Sequence, residues 1–103
     1  SVENRAKNSL KIPHLAAILV GDDGPSQTYV NSKIKACDRV GFKYSLFKYN
    51  DSISEQDLIS EIQKINNNDD IDGFIVQLPL PKKINQEKIL QLLQEFQKSE
   101  RHP

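Results

Sequence analysis

Several features that would point to a function are missing from this sequence of 103 residues. It has one cysteine, Cys37, so no internal disulfide can form and no Cys-x-x-Cys motif exists. Its 14 basic and 14 acidic residues balance, whereas a nucleic-acid binder carries a basic excess. No apolar run approaches the roughly 18 residues of a membrane span, and no signal peptide opens the chain. We therefore expect a cytoplasmic domain without nucleic-acid or membrane partners.

The length and the motif content exclude further classes. A chain of 103 residues forms one domain at most, which excludes an enzyme with a separate cofactor domain. The segment GDDGPS (21–26) lacks the Lys-Ser/Thr of a phosphate-binding loop and the Gly-x-Gly-x-x-Gly pattern of a dinucleotide site. His14 and His102 have no partners at metal-ligand spacing, so we expect neither a metal site nor a cofactor site.

Apolar periodicity predicts strands that alternate with helices. The predicted strands are residues 14–20, 42–49 and 73–78, and the predicted helices are residues 27–40, 55–66 and 86–98, with 1–10 compatible with another helix. Ser26 is the expected N-cap of the first long helix, Gly41 is its expected stop, and Ser52 or Ser54 caps the next helix. The alternation indicates a three-layer α/β/α fold with a short three-stranded parallel sheet in the order 2-1-3.

One pattern recurs along the chain. The helix that follows Ile53-Ser54 and the helix that follows Ile84-Asn85 share their apolar spacing at an offset of 31 residues (84 − 53). Nothing longer repeats, so two similar helices in successive βα units explain the pattern better than a solenoid does.

The candidate site follows from this topology, because ligands bind beyond the carboxyl ends of parallel strands where the strand order reverses. Tyr29 and Lys33 share one helix face, in the turns expected nearest that edge, beside a predicted apolar stripe. The stripe comprises Val30, Ile34, Cys37 and Val40. A partly desolvated lysine can serve as an acid or base, although a solvated lysine packed on an aromatic ring is the alternative. Gln77, alone in an apolar run, either orients a lysine or ligand or bonds to backbone.

Two segments resemble one enzyme family. PHLAAILVGDDGPSQTYVNSKIKACDRVGF (13–42) and INNNDDIDGFIVQLPLP (65–81) are similar to bifunctional methylenetetrahydrofolate dehydrogenase/methenyltetrahydrofolate cyclohydrolases. The resemblance implies that Lys33 of the Tyr-x-x-x-Lys motif does acid/base chemistry at the one-carbon bridge. It also implies that Tyr29 packs on the folate and that Gln77 orients the lysine. Ser26 and Pro79 are the remaining expected substrate-binding residues, and the family is usually homodimeric.

The resemblance covers about residues 5–84 and then stops. In the family a Lys-Asp-Val-Asp-Gly-Phe segment follows, whose aspartate binds the pterin, but residues 85–100 stand in its place. We expect no NAD(P)-binding domain within residues 1–103. We therefore expect residues 1–103 to be a single truncated folate-binding domain with a divergent terminal helix at 85–103. Hydride transfer should be absent without the NAD(P) cofactor domain, and hydrolysis of the methenyl bridge should be weak. The alternatives are an engineered or minimal α/β scaffold without activity, and a flavodoxin-like module that binds a nucleotide or phosphate.

Overall fold

A computed structural model describes residues 12–21, 24–96 and 98–100. The elements are β1 (His14–Val20), α1 (Gly24–Val40), β2 (Lys43–Tyr49), α2 (Glu55–Asn67), β3 (Gly73–Val76), α3 (Gln86–Gln94) and β4 (Ser99–Glu100). The helix considered for residues 1–10 lies outside the described residues. Among the described residues, no helix is long and apolar enough to span a membrane.

The sheet is parallel, with the strand order β2-β1-β3-β4. The predicted order 2-1-3 is confirmed, and β2 lies at an edge. Its neighbour β1 is central and pairs with β2 from His14↔Lys43 to Val20↔Tyr49. On its other side β1 pairs with β3, starting at Leu15↔Gly73.

The end of the chain differs from the predicted helix over 86–98, and a short fourth strand adds to the three predicted strands. Helix α3 ends at Gln94, and Ser99–Glu100 form β4, which pairs with β3 through Phe74↔Ser99. The Phe74 amide donates to the Lys98 carbonyl at 3.0 Å, and the Ser99 hydroxyl donates to the Leu93 carbonyl at 2.6 Å. Residues 99–100 pair with the open edge of β3 because the backbone groups of an unpaired strand edge lack hydrogen-bond partners.

The main core lies between the sheet and the two helices α2 and α3. It contains Ala16, Ile18, Val20, Phe74 and Val76 from the sheet, Leu58, Ile62 and Ile65 from α2, Ile89 and Leu93 from α3, and Ile71, Leu80 and Ile84 from the connections. The opposite face of the sheet carries α1. The three-layer arrangement predicted from the sequence is therefore confirmed.

Helix α1 departs from its predicted start and from its predicted apolar stripe. It begins at Gly24, so Ser26 lies in the first turn and not at the N-cap. Its end is as predicted, because Gly41 adopts a φ of 81° and the amide of the next residue donates to the Cys37 carbonyl. Val30 and Cys37 are buried, but Ile34 is half-buried and Val40 is 54% exposed. At about 100° per residue, Val40 lies about 80° around the helix from Val30 and faces away from the sheet.

The N-cap of α2 distinguishes between the two predicted capping residues, Ser52 and Ser54. The Ser54 hydroxyl accepts a hydrogen bond from the Asp57 amide at 3.1 Å, whereas the Ser52 amide donates to the Asn50 side chain. Ser54, and not Ser52, is therefore the cap. We expect Ser54→Ala to lower the free energy of unfolding by about 1 kcal/mol in urea titrations. Ser52→Ala is the matched control, and an equal loss in both variants would contradict this assignment.

Candidate functional site

The strand order reverses at β1, and this reversal defines the edge where a site is expected. The chain leaves β1 into α1 on one face of the sheet, and leaves β3 towards α3 on the other. The Gln77 amide donates to the Ile18 carbonyl at 2.9 Å and so extends the β1–β3 pairing one step beyond β3. The loop after β3 is thereby fixed against the central strand.

Tyr29 and Lys33 lie on one flank of α1, as their spacing predicts. Tyr29 is 60% exposed and Lys33 is half-buried. The prediction that both lie in the turns nearest the carboxyl edge needs correction for Lys33. At about 1.5 Å per residue, nine residues from Gly24 bring Lys33 about 13 Å down a helix that runs antiparallel to the strands. The lysine is therefore level with the middle of the sheet.

Lys33 contributes to the wall of an open cavity of about 230 Å³ between α1 and the sheet. The lining residues are Leu15, Ala16, Lys33, Ala36, Cys37, Tyr44, Gly73, Phe74, Ile75 and Lys98. Lys98 is already engaged, because its ammonium group donates to the carbonyls of Asn68 and Ile71 at 2.8 and 2.9 Å. Within the described part of the chain, Lys33 makes no ion pair or side-chain hydrogen bond. Its terminal nitrogen is therefore not engaged by any of the described residues.

Cys37 and Tyr44 line the same cavity as Lys33, and neither was predicted as a site residue. Burial, and secondarily the adjacent Asp38, raise the pKa of the Cys37 thiol, while Lys33 acts in the opposite direction. Burial raises the pKa of Tyr44 to about 12, and its hydroxyl is buried without a hydrogen-bond partner among the described residues. The i,i+4 spacing of Lys33 and Cys37 was a usable signal for the first residue. Tyr44 required the strand register, which sets it beside Leu15.

Gln77 and Pro79 share the loop that follows β3. Gln77 is buried, at 7% exposure, and its side-chain amide donates to the Leu78 carbonyl at 3.3 Å. The side-chain nitrogen of Gln77 is therefore bonded to backbone, and the side chain makes no hydrogen bond to Lys33 in this structure. Pro79 is exposed and follows a cis peptide bond. The orienting role predicted for Gln77 towards Lys33 stays a prediction.

Two predictions remain, one for Ser26 and one for metal binding. Ser26 lies in the first turn of α1, one turn before Tyr29, and its side chain is outside the described part of the structure. No group of three or more metal-ligating side chains occurs within residues 12–21, 24–96 and 98–100.

Comparison with known proteins gives consistent matches. Residues 1–97 match the family described as tetrahydrofolate dehydrogenase/cyclohydrolase, catalytic domain. This match includes residues 85–97, which are most of the terminal segment predicted to be divergent. A curated relative, the bifunctional protein FolD of Christiangramia forsetii, is 62% identical over 84 residues, which is 82% of this chain and 28% of that protein. No comparison supports the alternative of an engineered scaffold.

Solved structures with the same fold carry related descriptions. The bifunctional FolD methylenetetrahydrofolate dehydrogenase/cyclohydrolase from Campylobacter jejuni superposes with a TM-score of 0.81 at 39% identity, over 87% of this chain and 32% of that one. The FolD enzyme of Trypanosoma brucei, solved with NADP cofactor and inhibitor, superposes with a TM-score of 0.79 at 28% identity, over 86% and 30%. The present chain thus spans less than a third of each of these three relatives.

Proposed function

Because the chain belongs to the tetrahydrofolate dehydrogenase/cyclohydrolase catalytic-domain family, we propose that it supplies the folate-binding and acid/base residues of such an enzyme. The observation that carries the proposal is the position of Lys33. Lys33 is half-buried and lines the cavity, its amino group has no hydrogen-bond or ion-pair partner among the described residues, and it lies one helical turn after the exposed Tyr29. An unpaired amine at a cavity wall can exchange a proton with a bound ligand.

The proposed roles follow from the exposure and hydrogen bonds of each residue. Tyr29 offers an exposed ring on which a planar pterin can stack. Gln77 has a side-chain oxygen that can accept a hydrogen bond, since the contact with Leu78 uses only its nitrogen. Pro79 is exposed and follows Gln77 in the same loop, and Ser26 remains a proposed substrate-binding residue from its place in the family motif. These five residues, Lys33 included, are the proposed folate site.

Hydrolysis of the methenyl bridge is the reaction that these residues can support without a nicotinamide. Water adds to the bridge carbon, one carbon–nitrogen bond breaks, and a formyl group remains on the other nitrogen. The attacking water loses both of its protons as its oxygen becomes the formyl oxygen. The leaving nitrogen takes up one proton, and the other is released to solvent because the methenyl substrate is a cation and the formyl product is not. We propose that the Lys33 amine takes a proton from the water and returns one to the leaving nitrogen, which is the role of a general base and then of a general acid.

The connection after β1 reads Gly21-Asp-Asp-Gly24 and lacks the Gly-x-Gly-x-x-Gly pattern by which a strand-to-helix loop binds the pyrophosphate of a dinucleotide. We propose that residues 1–103 alone bind no NAD(P) and transfer no hydride. The cytoplasmic location and the family's homodimeric assembly stay predictions for this chain.

The experiment for the proposed function is a hydrolysis assay. Purified chain is mixed with 5,10-methenyltetrahydrofolate, and the decay of substrate absorbance is compared with decay in the same buffer without protein. We expect a saturable rate above the buffer rate and saturable heat in calorimetric titration with the same compound. Absence of both signals would overturn the proposal and leave an inactive α/β domain.

A further inference from the structure

We infer that Glu55 and Gln86 are positioning residues that together hold the loop of residues 78–81, and with it Gln77 and Pro79, in place. The inference rests on the proposed function, because Gln77 and Pro79 belong to the proposed folate site. Neither Glu55 nor Gln86 is expected to contact the ligand. Their contacts run from α2 to α3 and from α3 to the loop, and we call this chain of contacts the polar brace.

The first part of the polar brace joins the amino ends of α2 and α3. Glu55 lies in the first turn of α2, and one of its carboxylate oxygens accepts the Asn85 amide at 2.8 Å. Its other oxygen pairs with the Lys88 ammonium at 3.3 Å. The side chain of Asn85 in turn caps α3 by accepting the Lys88 amide at 3.2 Å. One carboxylate therefore fixes both the N-cap and the first turn of α3.

The second part joins α3 to the loop. Gln86, the first residue of α3, accepts the Leu80 amide with its side-chain oxygen at 3.2 Å. Leu80 is buried in the core, so this hydrogen bond fixes its backbone as well as satisfying it. At its other end the loop is held by the backbone amide of Gln77, which donates to the Ile18 carbonyl of β1. Pro79 and the Gln77 side chain lie between these two anchored points.

The 31-residue repeat shows how the polar brace is built. Ser54 and Asn85 occupy the same repeat position and cap their helices in the same way. Glu55 and Gln86 occupy the next repeat position, but their side chains make tertiary contacts that differ. Glu55 reaches the next repeat, and Gln86 reaches back to the loop before its own helix. Each first-turn residue thus has a contact that its own helix does not require.

The charge state of Glu55 supports the same role. The Asn85 amide, and secondarily Lys88, lower the pKa of the Glu55 carboxyl from its ordinary value of 4.5. The carboxylate is therefore ionised at neutral pH, where folate binding would be measured, and both of its contacts are present.

The test uses Gln86→Ala and Glu55→Ala in the full chain, with two readouts. The first readout is hydrogen exchange of the Leu80 amide without ligand, which we expect to accelerate roughly two- to tenfold in Gln86→Ala. The second is the Kd for 5,10-methenyltetrahydrofolate by calorimetry, which we expect to rise by a similar factor in both variants. Gln91→Ala and Glu87→Ala, exposed positions of α3, are the matched controls and should change neither readout. Ser54→Ala, which weakens α2 without removing a contact of the polar brace, should leave the Kd unchanged.

The outcomes separate this inference from the proposed function. Faster Leu80 exchange with an unchanged Kd would overturn the positioning role and leave a purely structural brace. Unchanged Leu80 exchange in Gln86→Ala would overturn the polar brace itself. If the unsubstituted chain bound no folate, the proposed function would fail and the positioning role would fail with it. The exchange readout would still show, on its own, whether Gln86 holds the loop.

Discussion

Replacing Lys33 by alanine is expected to slow hydrolysis of 5,10-methenyltetrahydrofolate by about 10²–10⁴-fold relative to the unsubstituted chain, or down to the buffer rate. The variant removes the one cavity-lining amine that has no bonded partner among the described residues. Water could still reach the bridge carbon, but no amine would accept its proton or return it to the leaving nitrogen. The effect should appear in the rate at saturating substrate more than in the Kd, because the stacking surface of Tyr29 is retained.

Lys35→Ala is the control for this variant. Lys35 lies on the same helix and is exposed, and it does not line the cavity that Lys33 lines. Its loss should leave the rate within a factor of about two, since an exposed lysine supplies no positioned proton transfer. Equal losses in the two variants would point to helix stability and not to chemistry. An undiminished rate in Lys33→Ala would remove the lysine from the mechanism.

The largest effect on stability is expected at Ile18. This residue is fully buried in β1, between β2 and β3, and packs in the core against α2 and α3. We expect Ile18→Ala to lower the free energy of unfolding by about 2–5 kcal/mol, because deleting buried carbon atoms leaves a cavity that a central strand cannot close. Such a loss is a large part of the roughly 5–15 kcal/mol of a typical domain. Urea titration followed by circular dichroism measures it.

Two companion variants keep this prediction testable if Ile18→Ala does not fold. Ile18→Val removes one methylene and should cost about 0.5–1.5 kcal/mol. Ile12→Ala alters an apolar side chain that is 45% exposed, and a smaller loss than for Ile18→Ala is expected there. A loss at Ile12 equal to that at Ile18 would contradict the location of the core.

Most of the fold could be predicted from the sequence because its strands and helix ends are marked by neighbouring residues along the chain. The run from His14 to Val20 is apolar on both faces, which is typical of a central parallel strand, and that strand is central. Gly41 and Ser54 mark helix ends by their own backbone and side-chain chemistry. The strand order then identified the loop of Gln77 as part of the candidate site.

The features that the sequence did not reveal depend on distant partners. The predicted helix over 86–98 ends early, at Gln94, and residues 99–100 instead pair with the free edge of β3. The Gln77 amide bonds to its neighbouring carbonyl, a choice that spacing cannot decide. Tyr44 reaches the cavity through the β1–β2 register, and Glu55 reaches Asn85 across 30 residues. Such contacts follow from packing and not from local pattern.

We propose that a folate binds along α1 and the loop after β3 and contacts Tyr29, Lys33 and Gln77. Of these three residues, only Lys33 lines the cavity between α1 and the sheet. The most direct measurement is a titration of isotope-labelled chain with 5,10-methenyltetrahydrofolate, followed by backbone amide chemical shifts. The account predicts saturable shifts at these three residues and at Leu80. Shifts confined to the opposite edge of the sheet, around His14, or no saturable shifts at all, would contradict it.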